Sequence, residues 1–284
     1  MENHYQKEMW ALQQEIYTCP CLQKGPNNCY EGLQDRRFGP DSIYVGEYYG
    51  QIKSHPKILF IGNNPNSEEK DFGIKMNTLK FIKQNLNLQP SEFYQAFYNG
   101  WNSANTRLTG VIRFKHKPKM DSILKKIFTT FNENLDLVQT IAITNSVLCK
   151  GNEKDGAPAG NMRKNCTSTQ FWLQKTLQIL KPDLIFIFSK DAGDNFQPEK
   201  IGKSDETYLT PAVSYGYKLR WPDNHSSLTL RIPHLSRFVK DAMEFKEIMK
   251  KKEKSNPKLK KLEYVLNTIS DLARKELVKM GFKC

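Results

Sequence analysis

Long apolar runs are missing from this 284-residue chain. The longest unbroken ones are Ile58–Ile61 and Leu184–Phe188, whereas a membrane-spanning helix needs about 20 apolar residues. We therefore expect no contact with a membrane. The first eight residues are polar and no apolar signal core follows them, so we expect a cytoplasmic protein rather than a secreted one.

Acidic residues are in deficit: 43 Lys and Arg face 30 Asp and Glu, a formal net charge of +13. Such an excess indicates a polyanionic partner, and nucleic acid is the usual one because neutralising phosphates releases counterions. A lysine-rich surface that serves only solubility is the alternative. The charge therefore suggests DNA as a partner, but it does not identify a reaction.

Much of this charge lies in the last part of the chain, where residues 237–284 hold 14 Lys and Arg against 7 Asp and Glu. Two helices are predicted there, Lys240–Lys252 and Lys258–Met280, separated by a breaker that ends in Pro257. Apolar residues recur at helical spacing in the second one. They are Leu259, Leu262, Leu266, Ile269 and Leu272. We treat residues 240–284 as a lysine-rich helical extension that packs by one face on a main domain, residues 1–239.

Histidine is scarce, with five in the chain, and none lies at metal-pair spacing from a cysteine, which weakens a mixed Cys/His zinc site. The six cysteines fall into an early cluster, a middle pair and a terminal residue. In a cytosolic chain, clustered cysteines indicate metal binding or catalysis more often than disulfides. Four thiolates from two distant segments suit a four-cysteine cluster, whether zinc or iron–sulfur. Buried, unreactive thiols are the alternative.

Four apolar segments predict buried strands, and each runs into a turn-rich or polar loop. They cover residues 57–62, 140–144, 182–189 and 228–232. Helical patterns lie between them at 77–87, 121–131 and 171–180. Strands that alternate with helices predict an α/β fold, a three-layer αβα sandwich around a mostly parallel sheet. Ligands bind such sheets beyond the carboxyl ends of the strands.

Five short motifs follow these strands in a fixed order. They are Gly62-Asn63-Asn64-Pro65-Asn66, Thr144-Asn145-Ser146-Val147-Leu148-Cys149, Cys166, Lys181-Pro182-Asp183-Leu184-Ile185 and His234-Leu235-Ser236. In this order they resemble the uracil-DNA glycosylase superfamily, and most closely its iron–sulfur branch, the family-four and family-five enzymes. The resemblance covers roughly residues 15–240 and implies the α/β sandwich of that family.

The same resemblance implies one [4Fe–4S] cluster. Its ligands would be Cys149, Cys166 and two of the early residues Cys19, Cys21 and Cys29, with Cys29 favoured. The early cysteines depart from the C-x-x-C pair of the family, which leaves one of the three without a place. Cys284 is expected to be free.

The active-site loop also departs from the family pattern. Asn63 replaces an acidic residue, Asn66 replaces a glycine, and Leu235 replaces the proline of the family's last motif. Asn64 matches the amide that other branches carry, and we expect it to orient the attacking water, although an amide is no general base. Asn63 is expected to face the base or the sugar. His234 is the candidate donor to the departing base, with a purely structural histidine as the alternative.

Base recognition requires a nucleotide flipped out of the duplex. Asn145 matches the family's base-reading asparagine, and Phe72 lies near the position of its stacking aromatic. The alternatives are a turn asparagine and an ordinary core aromatic. The aromatic-rich segment from Phe93 to Trp101 is a further candidate for shaping the base pocket.

The resulting hypothesis is a monomeric, monofunctional DNA glycosylase that removes uracil or a modified base and leaves an abasic site. One alternative is an antiviral enzyme specific for a phage-type modified cytosine, such as glucosylated hydroxymethylcytosine. Alternatives from other classes are a non-catalytic iron–sulfur protein that binds nucleic acid and a zinc-stapled structural protein.

Overall fold

The computed structural model describes residues 3–22, 26–29, 43–62, 87–102, 117–128, 136–149, 160–188, 192–193, 195–196, 203–207, 215–232 and 257–283. Seven strands form one sheet in the order β1-β3-β2-β4-β7-β6-β5. Their bounds are β1 Tyr44–Val45, β2 Ile58–Gly62, β3 Ile141–Asn145, β4 Leu184–Phe188, β5 Lys203–Thr207, β6 Tyr215–Arg220 and β7 Ser226–Ile232.

The four inner strands, β3, β2, β4 and β7, run parallel to one another. Their side chains are almost all buried, because helices cover both faces of a parallel sheet and leave no polar side. The uninterrupted apolar runs Ile58–Ile61 and Leu184–Phe188 are the sequence pattern of strands that are buried on both faces. These four strands are the ones that the sequence predicts, and they confirm the α/β sandwich.

The outer strands were not predicted. β1 pairs antiparallel with β3 at one edge, and β6 and β5 extend the other edge antiparallel to β7. The sheet is therefore mixed, with a parallel centre and antiparallel margins. β5 and β6 also carry an irregular register near Ser204, which breaks the period of a simple strand pattern.

Six α-helices are described, together with short 3₁₀ and π-helical turns. The helices are α1 His4–Tyr17, α2 Pro90–Asn102, α3 Lys117–Ile127, α4 Gly160–Lys164, α5 Trp172–Leu180 and α6 Pro257–Lys279. α1 packs against α2 and α5, whereas α3 packs against α6. The helix predicted at 121–131 thus begins four residues earlier, at Lys117, and the helix predicted at 77–87 lies outside the described residues. None of the helices in the described ranges is long and apolar enough to cross a membrane.

The start of α1 is fixed to the edge of the sheet. Asn3 caps the helix by accepting from the backbone N–H of Tyr5 at 2.9 Å, and its own Nδ2 donates to the carbonyl of Glu47 at 2.7 Å. Gln13, further along the helix, accepts from the backbone N–H of Ile43 at 2.7 Å. These bonds hold α1 in place, so the early cysteines that follow its C-terminal end are held in a fixed position.

The C-terminal helix differs in two respects from its prediction. Pro257 is its first residue rather than part of a breaker, as suits a proline whose missing N–H lies in the first turn. Its buried apolar residues in the described part include Val265, Leu266, Ile269, Ala273 and Leu277. Leu272, which the predicted stripe included, is only half-buried. The division at residues 239 and 240 stays a prediction, and the first predicted tail helix lies outside the described residues.

Candidate active site at the carboxyl ends of the parallel strands

The carboxyl ends of β2 and β3 meet side by side. Gly62, the last residue of β2, is paired in register with Asn145, the last residue of β3. The backbone N–H of Ser146 then donates to the carbonyl of Gly62 at 2.8 Å, which extends the pairing one step beyond the strand. The two family-like motifs therefore leave the sheet from adjacent points at the edge where α/β proteins bind ligands.

Asn145 is buried, with 4% of its surface exposed. Its side-chain oxygen occupies the space that a Cβ atom on residue 62 would need, so the glycine makes room for the carboxamide. The Nδ2 atom of this carboxamide has no hydrogen-bond partner within the described part of the chain. A buried donor without a partner is costly in a folded protein, and a bound ligand or an ordered water is what usually satisfies it. A ligand that presents an acceptor would supply the missing bond.

The other predicted catalytic and base-binding residues, Asn63, Asn64, Phe72 and His234, lie outside the described residues. The described chain does reach the same edge just before two of them. Gly62 immediately precedes Asn63, and Ile232, paired with Phe188 at the end of β4, comes two residues before His234. Their roles stay predictions.

A second polar residue at this edge was missed by the sequence reasoning. Asn195, 2% exposed, donates from Nδ2 to the hydroxyl of Ser146 at 3.0 Å. It lies in a short segment after β4, and no motif or spacing in the sequence points to it. Only the tertiary fold brings the two residues together.

The first two aromatic residues of the segment after residue 90 lie in the core. Phe93 and Tyr94 belong to α2 and are fully buried. The ring of Phe93 stacks on Trp10 of α1 with centroids 4.1 Å apart, and Tyr94 packs edge-on against Phe93. These two side chains form helix–helix core, because both their burial and their partners are internal. Phe93 and Tyr94 therefore serve the core, and the expectation that the aromatic segment shapes a base pocket stays a prediction for its other residues.

The early and middle cysteines come together in space. Cys19, Cys29, Cys149 and Cys166 line one small void of about 10 Å³, enclosed also by Trp172 and its neighbours. All four, and Cys21, are buried and unpaired by disulfides. Cys149 follows β3 by four residues, and Cys166 sits in the π-helical turn Asn165–Thr169. Such turns interrupt helices preferentially at functional sites.

The thiols touch one another and receive N–H donors. Hydrogen bonds from the Cys149 thiol and from Asn165, whose Nδ2 is 3.6 Å from the sulfur, lower the pKa of Cys29 to about 7. Burial raises the pKa of Cys19 to about 12, opposed in part by its hydrogen bonds. Gln170 donates to the sulfur of Cys21 at 3.6 Å.

Buried thiols with amide and indole donors suit an iron–sulfur cluster, because N–H···S bonds around the sulfurs tune such centres. In the described ranges, no group of three or more His, Cys, Asp or Glu side chains is arranged to hold a single metal ion. The fit of the thiols to a cluster thus depends on their convergence, burial and donors.

An α/β sandwich with an unpartnered amide donor at the ends of its parallel strands has the arrangement of a ligand-binding site. Comparison with protein families agrees: residues 49–260 match the family model described as the uracil DNA glycosylase superfamily. The chain belongs to this superfamily, a class of DNA glycosylases. No curated protein matches the chain closely enough to count as a relative.

Proposed function

We propose that this protein is a monofunctional DNA glycosylase that flips a non-canonical base, uracil or a modified base, out of DNA and hydrolyses its N-glycosidic bond. The observation that carries the proposal is the buried Asn145 amide with its unpartnered donor, at the strand end where this superfamily member would hold a base. A nucleobase carbonyl beside a ring N–H offers the acceptor and donor that a carboxamide can pair with.

The chemistry requires four further groups. Cleavage passes through an oxocarbenium-like sugar and a departing base anion. His234 would donate to the base oxygen as negative charge develops there, and Asn64 would orient the attacking water. Phe72 would stack on the flipped base, and Asn63 would contact base or sugar. Such an enzyme would depend mainly on stabilising the departing base, since an amide rather than a carboxylate would stand at the water position.

The cysteines would hold a [4Fe–4S] cluster. The lining of the void favours Cys19, Cys29, Cys149 and Cys166 as its ligands, with Cys21 beside them. When bound, the cluster would join the end of α1, the 26–29 turn, the segment after β3 and the 165–169 turn through metal–sulfur bonds. Asn165 and Trp172 would act on the ligand sulfurs as hydrogen-bond donors.

Iron and acid-labile sulfide, measured on protein purified without oxygen, test the cluster. The variants Cys149→Ser and Cys166→Ser should lose both, and Cys21→Ser should keep both together with the visible absorption band. Wild-type protein that contains neither iron nor sulfide under these conditions would contradict the cluster. Loss in Cys21→Ser with retention in Cys19→Ser would reverse the choice between the two early thiols.

The activity is tested with a panel of oligonucleotides that carry uracil, deaminated, alkylated and phage-type modified bases, single- and double-stranded. Single-turnover cleavage of at least one substrate is expected, with strand scission only after alkali, because the product is an abasic site. His234→Ala and Asn64→Ala should each slow cleavage by about 10²-fold or more with DNA affinity retained. Asn63→Ala should change which base is accepted. DNA binding without cleavage of any substrate would instead support a non-catalytic binder.

We further propose that the enzyme acts on DNA as a monomer in the cytoplasm. The excess of 43 Lys and Arg over 30 Asp and Glu supports the DNA partner. Light scattering of the purified protein tests the monomer directly.

A further inference from the structure

Part of the segment that follows β4 lies at the carboxyl edge of the sheet, next to Asn145. Its described residues, 192–193 and 195–196, include Asn195, which is 2% exposed and donates from Nδ2 to the Ser146 hydroxyl at 3.0 Å. This bond joins the chain after β4 to the chain after β3 across the end of β2. It is buried, so water competes little for it.

Ser146 is held from a second side as well. Its backbone N–H donates to the carbonyl of Gly62 at 2.8 Å. Ser146 and Asn145 share a peptide unit, so fixing Ser146 fixes the backbone from which the Asn145 carboxamide extends. The carboxamide then packs on Gly62, which leaves little freedom in its direction.

The same segment is also fixed on its other side. A Cβ atom on Gly193 would lie 2.6 Å from Cδ of Arg231 in β7, so the arginine stem passes directly over this glycine. The ring of Phe196, itself buried, contacts Tyr217 of β6. The residues on either side of Asn195 are therefore packed against the sheet, and they hold Asn195 in position for its hydrogen bond to Ser146.

We propose that Asn195 is a positioning residue, which sets the orientation of the Asn145 carboxamide through Ser146 and so sets the rate at which the base is excised. The inference rests on the proposed function of Asn145 as the residue that reads the base. Removing the bond lets Ser146 and the adjoining peptide relax, and a small displacement of a reading group lowers the rate steeply. The orientation of the proposed base-reading group therefore depends on the ends of three strands, β2, β3 and β4.

The test compares Asn195→Ala with Ser146→Ala and with the double variant. Single-turnover cleavage of the best substrate found in the panel is expected to fall about 10- to 100-fold in each single variant. The double variant is expected to be no slower than the slower single variant, because both changes remove the same bond. DNA affinity should stay within a few-fold, since the groups that bind phosphate are untouched.

Thr140→Ala is the matched control. Thr140 is also buried and makes a side-chain hydrogen bond, from Oγ1 to the carbonyl of Leu137 at 2.8 Å, but it lies at the amino end of β3. This variant is expected to lose stability without losing cleavage rate. A rescue variant separates position from packing: Asn195→Asp keeps an acceptor to which the Ser146 hydroxyl can donate. Asn195→Asp should retain most of the activity, and Asn195→Asp with Ser146→Ala should not.

A spectroscopic measurement keeps this inference separate from the proposed function. The side-chain NH₂ signals of Asn145 in a ¹⁵N spectrum should shift in Asn195→Ala and stay in place in Thr140→Ala. If wild-type protein cleaves no DNA while this shift occurs, the proposed function fails and the positioning role stands. Wild-type cleavage rate together with unshifted Asn145 signals in Asn195→Ala would overturn the positioning role. Equal losses of rate in Asn195→Ala and Thr140→Ala would overturn it too.

Discussion

The side-chain oxygen of Asn145 occupies the space that a Cβ atom on residue 62 would require, so this position of the Asn145 side chain requires a glycine at residue 62. Both are the last residues of their strands and are paired in register. A glycine is required here because a side chain approaches its Cα closely, and not because the backbone adopts a conformation that only glycine favours. The start of the predicted active-site loop and the proposed base-reading group therefore constrain one another.

Gly62→Ala should therefore damage the site more than the fold. The added methyl group displaces the Asn145 carboxamide, and we expect single-turnover cleavage to fall about 10²-fold. Gly46→Ala is the matched control, because a Cβ there would collide with the backbone carbonyl of Gln139 at the amino end of β3. The control should lose more stability in urea unfolding, yet its folded fraction should cleave at the wild-type rate. Full activity in Gly62→Ala would contradict the placement of Asn145.

Asn145→Leu should lower activity and raise stability at once. Leucine keeps the approximate size of the side chain and removes the unpartnered Nδ2 donor, whose burial costs about 1–3 kcal/mol. Activity should fall at least 10²-fold, because the base loses its hydrogen bonds. Unfolding in urea and single-turnover kinetics measure the two effects on the same protein.

Thr229→Val is the control for the stability part of that prediction. Thr229 lies in β7, is fully buried, and its hydroxyl has no hydrogen-bond partner in the part of the chain that the structure describes. Removing this hydroxyl should also raise stability, but it should leave cleavage unchanged. If Asn145→Leu destabilises the protein while Thr229→Val stabilises it, then the Asn145 amide has a structural partner and its reading role loses support.

The contrast between these residues shows what the sequence could predict. Asn145 was identified because it matches the base-reading asparagine of the family that the motifs resemble, and because it follows an apolar run that predicts a buried strand, whose end lies where such sheets bind ligands. Ser146 and Asn195 were not connected, since a hydrogen bond between distant segments leaves no trace in spacing. The approach of the early cysteines to Cys149 and Cys166 was expected only from the family resemblance, and in the structure it depends on how α1 is fixed to the sheet.

The strands also differ in whether the sequence alone predicts them. β2 and β4 were predicted because parallel inner strands are apolar on both faces. β6 is Tyr215–Arg220, in which polar and apolar residues are mixed and a glycine interrupts the pattern, so its pairing with β7 had to come from the structure. On α6, periodicity predicted the helix, and Leu272 of the predicted stripe packs against the core, but it is only half-buried whereas the small Ala273 is fully buried.

Asp183, at the amino end of β4, should make stability depend on pH. Burial raises the pKa of this carboxyl above its ordinary value of 3.8, although the backbone N–H of Lys57 donates to it at 2.7 Å. The folded state then binds the proton more tightly than the unfolded state, so the free energy of unfolding falls as pH rises from 3.8 through the raised pKa. Asp183→Asn keeps an acceptor for Lys57 and should remove this decline. Urea unfolding of both proteins between pH 4 and pH 8 measures it.

Asp223 provides a control of opposite sign. The ammonium of Lys181 donates to this exposed carboxylate and lowers its pKa below 3.8. Its contribution to stability is therefore present above pH 3.8 and lost as pH falls through the lowered pKa. The effect of Asp223→Asn should be small, because exposed ion pairs contribute little. A difference between wild type and Asp183→Asn that grows as pH falls would contradict the raised pKa of Asp183.

The last prediction separates two roles of α6, which packs by one face and carries cationic residues on the other. Ile269 is fully buried, and the hydroxyl of the adjoining Ser270 donates to the carbonyl of Ile123 in α3 at 3.4 Å. Deleting residues 240–284 would therefore disturb packing as well as charge. Point variants are the cleaner test: Ile269→Ala for packing, and Arg274→Gln with Lys275→Gln for the exposed charges.

Ile269→Ala should cost about 2–5 kcal/mol of stability and leave the salt dependence of DNA binding unchanged. Arg274→Gln with Lys275→Gln should leave stability unchanged and flatten the slope of log K against log salt, by about 0.9 for each phosphate of duplex DNA that these cations neutralise in the wild type. Urea unfolding and fluorescence anisotropy at several salt concentrations measure both quantities. An unchanged slope in the double glutamine variant would mean that this face of α6 does not bind DNA, and that the helix serves the fold through Ile269 and its neighbours.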